Sequence, residues 1–156
     1  MTIAEQRRAV VAEAMTWLRT PYHPCARVKG AGLDCAMLLP ETYEAVGLMD
    51  HAEFGHYSPD WHLHHSEEIY LNHVLTYCDE IDGPPEPGDI VMWRFGRCFS
   101  HGAIVVAWPQ IIHAYIRRPV SLDDAEINQT LKFIGEPDPE RGKLRPRRFF
   151  CPKVWR

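Results

Sequence analysis

The chain has 156 residues, 46% of them hydrophobic and 24% charged, which predicts a single globular domain over 1–156 and excludes general disorder. The formal net charge is −4, yet the segment 141–156 carries seven basic residues and no acidic one. No glycine-aromatic RNA motif or zinc-finger spacing accompanies this basic segment, so we expect no nucleic-acid partner. A solvated strand face or a docking edge for an acidic partner explains the segment better.

The first 20 residues carry scattered charges and lack the long uncharged core of a signal peptide or a membrane span. We therefore expect synthesis in the cytoplasm without a signal peptide, and no membrane span. The five cysteines are odd in number and include no C-x-x-C pair, so we expect scattered buried thiols rather than a disulfide framework. We expect no metal and no other cofactor.

In the first half of the chain, Thr2 and Glu5 form a capping box before a helix predicted over about residues 3–19. Asp34 is a good N-cap for a second helix that runs toward Gly47, and Pro40 should kink or shorten it. A third helix is expected to begin at Ser66, because apolar residues recur with helical spacing up to Cys78.

The second half changes to short β-branched and aromatic runs, "DIVMWRF", "AIVVAW" and "IIHAYI", which predict an antiparallel meander. A last helix is predicted from Ser121, with Asp123 and Asp124 in its first turn. The segment "LRPRRFFCP" is predicted to be a final strand, at an edge of the sheet if it contains Pro146. Helices followed by strands indicate an α+β fold, with the helices packed on an antiparallel sheet.

Three residues suggest a thiol enzyme. Cys35 follows the predicted cap Asp34, where helix N–H groups favour a thiolate, although a small buried cysteine is the alternative. His101, expected at the head of a strand, is the imidazole that a cysteine nucleophile requires as general base and acid. His113 is expected on the next strand, where it can orient the His101 ring, or it can be a core histidine.

The motifs "GLDCAMLL", "PGDIVMWRF", "SHGAIVV" and "IIHAY" resemble, in this order, the NlpC family of cell-wall cysteine peptidases, which have a reduced papain-like fold. The resemblance covers about residues 15–118. It implies that Cys35 is the nucleophile, His101 the general base and acid, and His113 the orienting residue. The form "CARVKGAGLDCAMLL" looks most like the variants encoded beside phage tail and gene-transfer-agent genes.

The resemblance also implies four substrate-binding positions, at Tyr22, Asp34, Ala36 and Ser100. Tyr22 would hydrogen-bond near the oxyanion site, together with the backbone N–H of Cys35. Many family members have "DCSG" where this chain has "DCAM", so Ala36 removes a hydroxyl that helps to hold the free amine of the stem peptide. Asp34 can still supply the negative charge.

The predicted function is hydrolysis of peptidoglycan stem peptides by a Cys-His-His triad, at the γ-D-glutamyl to diamino acid bond that the resemblance implies. The resemblance further suggests a tail-tip component of a phage-like particle that digests the wall locally in the host periplasm, with tail-tip or hub proteins as partners. Two alternatives stay open. One is a structural tail-assembly module that docks through its basic end, and the other is a cysteine amidase or acyltransferase.

A histidine-rich loop offers a different site. His51, His56, His62, His64 and His65 could ligate zinc, but they lack a recognised ligand pattern, so we expect them to form a loop face or a lip of the cleft. Tyr57 and Trp61 beside them could stack on a sugar or a peptide, or contact a neighbouring protein.

Overall fold

The structure, a computed structural model, describes residues 1–55, 57, 68–135, 138 and 140–156. The helices of the described residues are α1 (Ile3–Met15), α2 (Cys35–Ala45), α3 (Ile69–Tyr77) and α4 (Gln129–Lys132), with a 3-10 turn at Lys153–Trp155. The strands are β1 (Arg27–Val28), β2 (Gly32–Leu33), β3 (Cys78–Ile81), β4 (Ile90–Phe95), β5 (Cys98–Ala107), β6 (Gln110–His113), β7 (Ser121–Asp124), β8 (Phe133–Ile134), β9 (Lys143–Leu144) and β10 (Arg147–Pro152).

The main sheet has six strands in the order β3-β10-β4-β5-β6-β7, and each neighbouring pair is antiparallel. Its two faces bury different cores because side chains alternate along each strand. On β4, Ile90 and Met92 join the core under α1, α2 and α3, whereas Val91 and Trp93 join a smaller core that includes Leu131 of α4. The prediction of an α+β fold with helices on an antiparallel sheet is confirmed.

The first helix has the predicted capping box, with Thr2 Oγ1 accepting from the Glu5 N–H at 3.2 Å. It ends at Met15, however, four residues earlier than predicted. The reason is tertiary: Arg19 adopts a positive φ of 71°, and its N–H donates to the carbonyl of Val120 at 2.9 Å. This contact requires the chain to leave the helix before it reaches the prolines.

The second helix has Asp34 as its N-cap, as predicted, and Asp34 Oδ1 accepts from the Met37 N–H at 2.9 Å. Pro40 was expected to kink or shorten the helix, and the shortening does not occur, since α2 continues through Pro40 to Ala45. Pro40 is buried, so its packing offsets the missing backbone donor. Gly47 lies just beyond the end with φ 73°, the left-handed conformation that favours glycine after a helix.

The third helix is described from Ile69, and the predicted cap Ser66 lies outside the described residues. The helix ends at Tyr77 rather than continuing through Cys78. Cys78 instead begins β3, where it pairs with Pro152 of β10. The apolar residues that predicted a longer helix therefore belong to two elements: Leu71, Val74 and Leu75 lie in α3, whereas Cys78 is the first residue of β3.

The predicted meander is confirmed as β4, β5 and β6, but two details differ. His101 is the fourth residue of β5 rather than its head, because the strand begins at Cys98. The residues from Ser121 form the strand β7, paired with β6, and not a helix. β10, which was predicted at an edge only if it contained Pro146, begins after Pro146 and lies between β3 and β4 inside the sheet.

In the parts of the chain that the structure describes, no helix is both long enough and apolar enough to cross a membrane.

Candidate active site

Cys35 is the first residue of α2, and several contacts fix the backbone around it. Asp34 is 2% exposed, and its Oδ2 accepts from the Cys25 N–H at 2.8 Å and from the hydroxyl of Tyr57. Tyr70, from α3, donates its hydroxyl to the Cys35 carbonyl at 2.9 Å. The start of the helix is therefore held from both sides by buried polar contacts.

The Cys35 sulfur lies beside the backbone of β5. Sγ–H donates to the Ser100 carbonyl at 3.6 Å, and the Gly102 N–H also faces the sulfur. These two groups belong to the residues immediately before and after His101. In this conformation the thiol hydrogen-bonds to Ser100 and not to the His101 ring.

The thiol is not the stabilised thiolate that the helix position predicted. Burial raises the pKa of Cys35 to about 12, and the negative charge of Asp34 raises it further. The N–H groups of Gly102, Cys35 and Ala36 act in the opposite direction, but the loss of solvation is larger. The free protein therefore holds Cys35 as a thiol at neutral pH.

His101 and His113 form a buried hydrogen-bonded pair between β5 and β6. His101 Nε2 lies 2.9 Å from His113 Nδ1, and the two rings are 5% and 2% exposed. His113 Nε2 in turn lies 3.0 Å from Asp123 Oδ2 on β7. The strand register explains the contact between His113 and Asp123. β6 and β7 pair His113 with Ser121, and Asp123, two residues further along β7, lies on the same face of the sheet as Ser121.

The His101 ring is packed among aromatic side chains, with ring centroids of Trp93 and Tyr115 at 5.7 and 5.3 Å. Burial lowers the pKa of His101 well below its ordinary value, and the charges of His113 and Arg145 lower it further, against the opposing effect of Asp123. His101 is therefore a neutral imidazole at neutral pH, which is the form that accepts a proton.

A cleft of about 590 Å³ opens beside these groups. Its walls include six of the seven residues that the sequence singled out, and they are mostly aromatic and aliphatic elsewhere. The six are Tyr22, Asp34, Cys35, Ala36, Ser100 and His101. His113, the seventh, is not among the lining residues and contacts the site through His101.

Tyr22 is held near Cys35 by a bridge between its backbone and that of Leu33. Burial raises the pKa of Tyr22, and the neighbouring Cys35 and Asp34 charges raise it further. Its hydroxyl consequently keeps its proton across the physiological pH range and can donate a hydrogen bond into the cleft.

Three polar residues of the site were missed by the sequence interpretation. Asp123 was assigned to the first turn of a helix, Tyr70 was not singled out, and Tyr57 was interpreted as a stacking residue of the loop. The segment "SLDD" does not alternate apolar and polar residues as a half-buried strand typically does, so no local signal placed Asp123 beside His113. The tyrosine contacts arise from tertiary packing alone.

The histidine-rich loop, which was expected to form a loop face or a lip of the cleft, lies mostly outside the described residues, which exclude His56, Trp61, His62, His64 and His65. His51 is described, and its two ring nitrogens contact Glu44 and Glu53. Among the described residues no group of three or more His, Cys, Asp or Glu side chains could hold a metal ion. The five cysteines, all of which lie in the described residues, form no disulfide with one another.

The basic C-terminal segment uses much of its charge inside the domain. Arg148 forms two hydrogen bonds to Glu80, and Arg147 pairs with Glu126. Arg145 donates to the carbonyls of Arg94, Thr130 and Phe133, and its guanidinium stacks 3.8 Å from the Phe95 ring. These contacts favour a structural role for the segment over a free docking edge.

The sequence matches no protein-family model and no curated protein. Its fold, by contrast, is found among solved structures. The NlpC/p60 domain of the peptidoglycan hydrolase SagA superposes with a TM-score of 0.57 at 21% identity, covering 77% of this chain and 90% of that one. The chain has the NlpC/p60 fold.

Two other solved structures share this fold. NlpC1 from Trichomonas vaginalis gives a TM-score of 0.57 at 18% identity, and the match covers 93% of this chain but 44% of that one. RipD from Mycobacterium tuberculosis, a non-catalytic NlpC/p60 domain protein adapted to peptidoglycan binding, gives 0.55 at 9% identity and covers 94% and 96%. The NlpC/p60 fold therefore includes both hydrolases and non-catalytic proteins.

Proposed function

We propose that this protein is a thiol hydrolase that cleaves peptidoglycan stem peptides, with Cys35 as nucleophile and His101 as general base and acid. The observation that carries the proposal is the position of the Cys35 sulfur, between the Ser100 carbonyl and the Gly102 N–H that flank His101. Cys35 and His101 line the same cleft, and His113 contacts the His101 ring through a hydrogen bond. The peptidoglycan hydrolase SagA, whose domain has the same fold, supports the choice of substrate class.

The proposed reaction begins with rotation of the Cys35 side chain away from the Ser100 carbonyl. The sulfur attacks the carbonyl carbon of the scissile amide while its proton moves to His101, giving a tetrahedral intermediate. His101 then protonates the leaving amine, the C–N bond breaks, and a thioester remains. Water adds to the thioester with His101 as the base, which releases the acid and restores the thiol.

We assign substrate binding to Tyr22, Asp34, Ala36 and Ser100. The Tyr22 hydroxyl and the Cys35 N–H would donate to the oxyanion, since Tyr22 stays protonated. Asp34 already accepts from two backbone N–H groups and from Tyr57, so it stabilises the nucleophile loop as well as bringing negative charge to the cleft. The proposed bond, between γ-D-glutamate and a diamino acid, rests on the sequence resemblance.

The biological setting is a second part of the proposal. The sequence resemblance supports a tail-tip component of a phage-like particle that acts on the wall from the periplasm, with tail-tip or hub proteins as neighbours. Gene neighbourhood tests this part directly. Tail genes beside the coding sequence would support it, whereas wall-recycling genes would contradict it.

Two other functions compete with this proposal. A non-catalytic module is favoured by RipD, which has the same fold without catalysis. The internal pairing of Arg147 and Arg148 weakens the version that docks through the basic end. A cysteine amidase or acyltransferase would use the same three residues, so only the products of the reaction distinguish it.

The test is digestion of purified muropeptides and intact sacculi, followed by mass spectrometry of the fragments. Wild type should release new peptide termini, and Cys35→Ala should abolish them. Cys25→Ala is the matched control, because Cys25 is the other half-buried cysteine and also contacts Asp34, and it should retain cleavage. If wild type, Cys35→Ala and Cys25→Ala all leave the substrates uncleaved, the hydrolase proposal is refuted. If Cys35→Ala cleaves as well as wild type, the thiol mechanism is refuted.

A further inference from the structure

The hydrogen-bonded chain behind His101 continues beyond the residues that the sequence identified. It runs from His101 to His113, from His113 to Asp123 Oδ2 at 3.0 Å, and from the same oxygen to Asn128 Nδ2 at 2.7 Å. Asp123 Oδ1 accepts from the Asp124 N–H at 2.8 Å. Both carboxylate oxygens are therefore occupied by donors.

This arrangement constrains which ring nitrogens carry protons. An ionised carboxylate can only accept, so His113 Nε2 must donate to Asp123. A neutral His113 then has an unprotonated Nδ1, which can only accept from His101 Nε2–H. A neutral His101 that donates through Nε2 has its lone pair on Nδ1, on the part of the ring that His113 does not occupy.

We propose that Asp123 is a positioning residue that fixes both His113 and His101 in the Nε2–H tautomer and so leaves Nδ1 of His101 free to accept the Cys35 proton. The part of this proposal that concerns Cys35 rests on the proposed hydrolase function, whereas the tautomer part does not. Asn128 supports Asp123 from α4, where its Oδ1 also caps the helix by accepting from the Leu131 N–H.

The electrostatics agree with this assignment. The hydrogen bond from His113 lowers the pKa of Asp123 to about 2, so the Asp123 carboxylate is ionised at neutral pH. Burial disfavours the protonated form of His101, as do the neighbouring His113 and Arg145, whereas Asp123 favours it. Tyr115 packs against the same ring at 5.3 Å.

Asp123→Asn is the informative variant, because it keeps the shape and changes one acceptor into a donor. The Asp124 N–H cannot reverse its direction, so the new amide oxygen should stay on that side and the new NH₂ should face His113 Nε2. The same NH₂ should also face Asn128 Nδ2, which is itself a donor, so the hydrogen bond between residues 123 and 128 should be lost. That donor would require an unprotonated Nε2 on His113 and would move both rings to the Nδ1–H tautomer. Asp124→Asn is the matched control, since its Oδ1 accepts only from backbone N–H groups, those of Glu126 and Ile127.

The direct measurement is long-range ¹H–¹⁵N NMR of histidine-labelled protein at neutral pH, with ring signals assigned by His101→Gln and His113→Gln. Wild type and Asp124→Asn should show Nε2 protonated and Nδ1 unprotonated in both rings, and Asp123→Asn should show the reverse. A wild-type His101 with a protonated Nδ1, or an imidazolium at His113, would overturn the proposal. The wild-type spectrum alone decides if Asp123→Asn fails to fold.

The kinetic measurement separates this proposal from the proposed function. Asp123→Asn should lower kcat on muropeptides by about 10²- to 10⁴-fold with little change in KM, as a wrong tautomer does in other triads. Asp124→Asn should stay within about twofold of wild type. Unchanged kcat in Asp123→Asn would overturn the role of Asp123, whereas an inactive wild type with the expected tautomers would refute only the hydrolase.

Discussion

Replacing Gly102 by alanine should damage the site through Tyr70, and the structure gives the size of the effect. A Cβ at Gly102 would overlap the Tyr70 hydroxyl oxygen and lie 3.1 Å from the Tyr70 Cζ. Tyr70 is 8% exposed and donates to the Cys35 carbonyl at 2.9 Å, so its ring has little room to retreat. The substitution must therefore displace Tyr70 from Cys35.

The expected loss has two parts. Overpacking a buried site costs about 1–3 kcal/mol, and the lost hydrogen bond to Cys35 costs about 1 kcal/mol. We expect Gly102→Ala to lower the free energy of unfolding by about 2–4 kcal/mol. In a Tyr70→Phe background the clashing oxygen is absent, and the cost of Gly102→Ala should fall to about 1 kcal/mol.

Urea unfolding of the two single variants and the double variant measures this coupling, provided that the m-value stays constant. Gly83→Ala is the control, because a Cβ there meets nothing within 4 Å, and it should change stability by less than about 0.5 kcal/mol. If Gly102→Ala lowers the free energy of unfolding equally in the wild type and in the Tyr70→Phe variant, the reasoning is refuted.

Three further predictions concern charge and pH. Arg7→Ala should cost about 3–5 kcal/mol in urea unfolding, because it leaves Asp89 buried without the guanidinium at 2.8 Å, whereas the exposed Arg8→Ala should cost less than about 0.5 kcal/mol. Burial lowers the pKa of His101 well below its ordinary value, and the neutral ring is the proposed base. The value of kcat/KM should therefore stay level as the pH falls from 7 through 6.5, and decrease only at lower pH, where His101 gains a proton. A decrease with its midpoint near pH 6.5 would contradict this prediction. Iodoacetamide labelling of Cys35, followed by peptide mass spectrometry, should accelerate up to pH 11 without a plateau near 8.5, since its pKa is about 12.

The parts of the fold that depend on local chemistry could be predicted from the sequence. The cap at Thr2, the cap at Asp34 and the stop at Gly47 each depend on one residue type in one backbone conformation. The meander followed from the alternation of β-branched runs. His101 and His113 could be paired because a hairpin brings consecutive strands together.

The errors arose where tertiary contacts decide. The carboxylates of "SLDD" suit a helix start equally well, and only pairing with β6 makes the segment a strand and brings Asp123 to His113. The place of β10 in the sheet was likewise not predicted: it lies between β3 and β4, where Arg147 and Arg148 pair with Glu126 and Glu80. Neither arrangement has a local sequence signal.

The electrostatics of Cys35 and His101 bear on how the proposed reaction proceeds. Helix position alone predicts a thiolate, but burial raises the pKa of the thiol while it lowers the pKa of the imidazole, so the neutral pair is favoured over the ion pair in the free protein. The proton must then leave sulfur while the sulfur–carbon bond forms, with the charge reaching the substrate oxygen rather than resting on sulfur. A step in which a proton is transferred in the transition state is slower in D₂O than in H₂O. The ratio of kcat/KM in H₂O to kcat/KM in D₂O should therefore be greater than one, a normal solvent isotope effect. A preformed thiolate–imidazolium pair would give a value near or below one, and that result would show that substrate binding or solvent reverses the effect of burial.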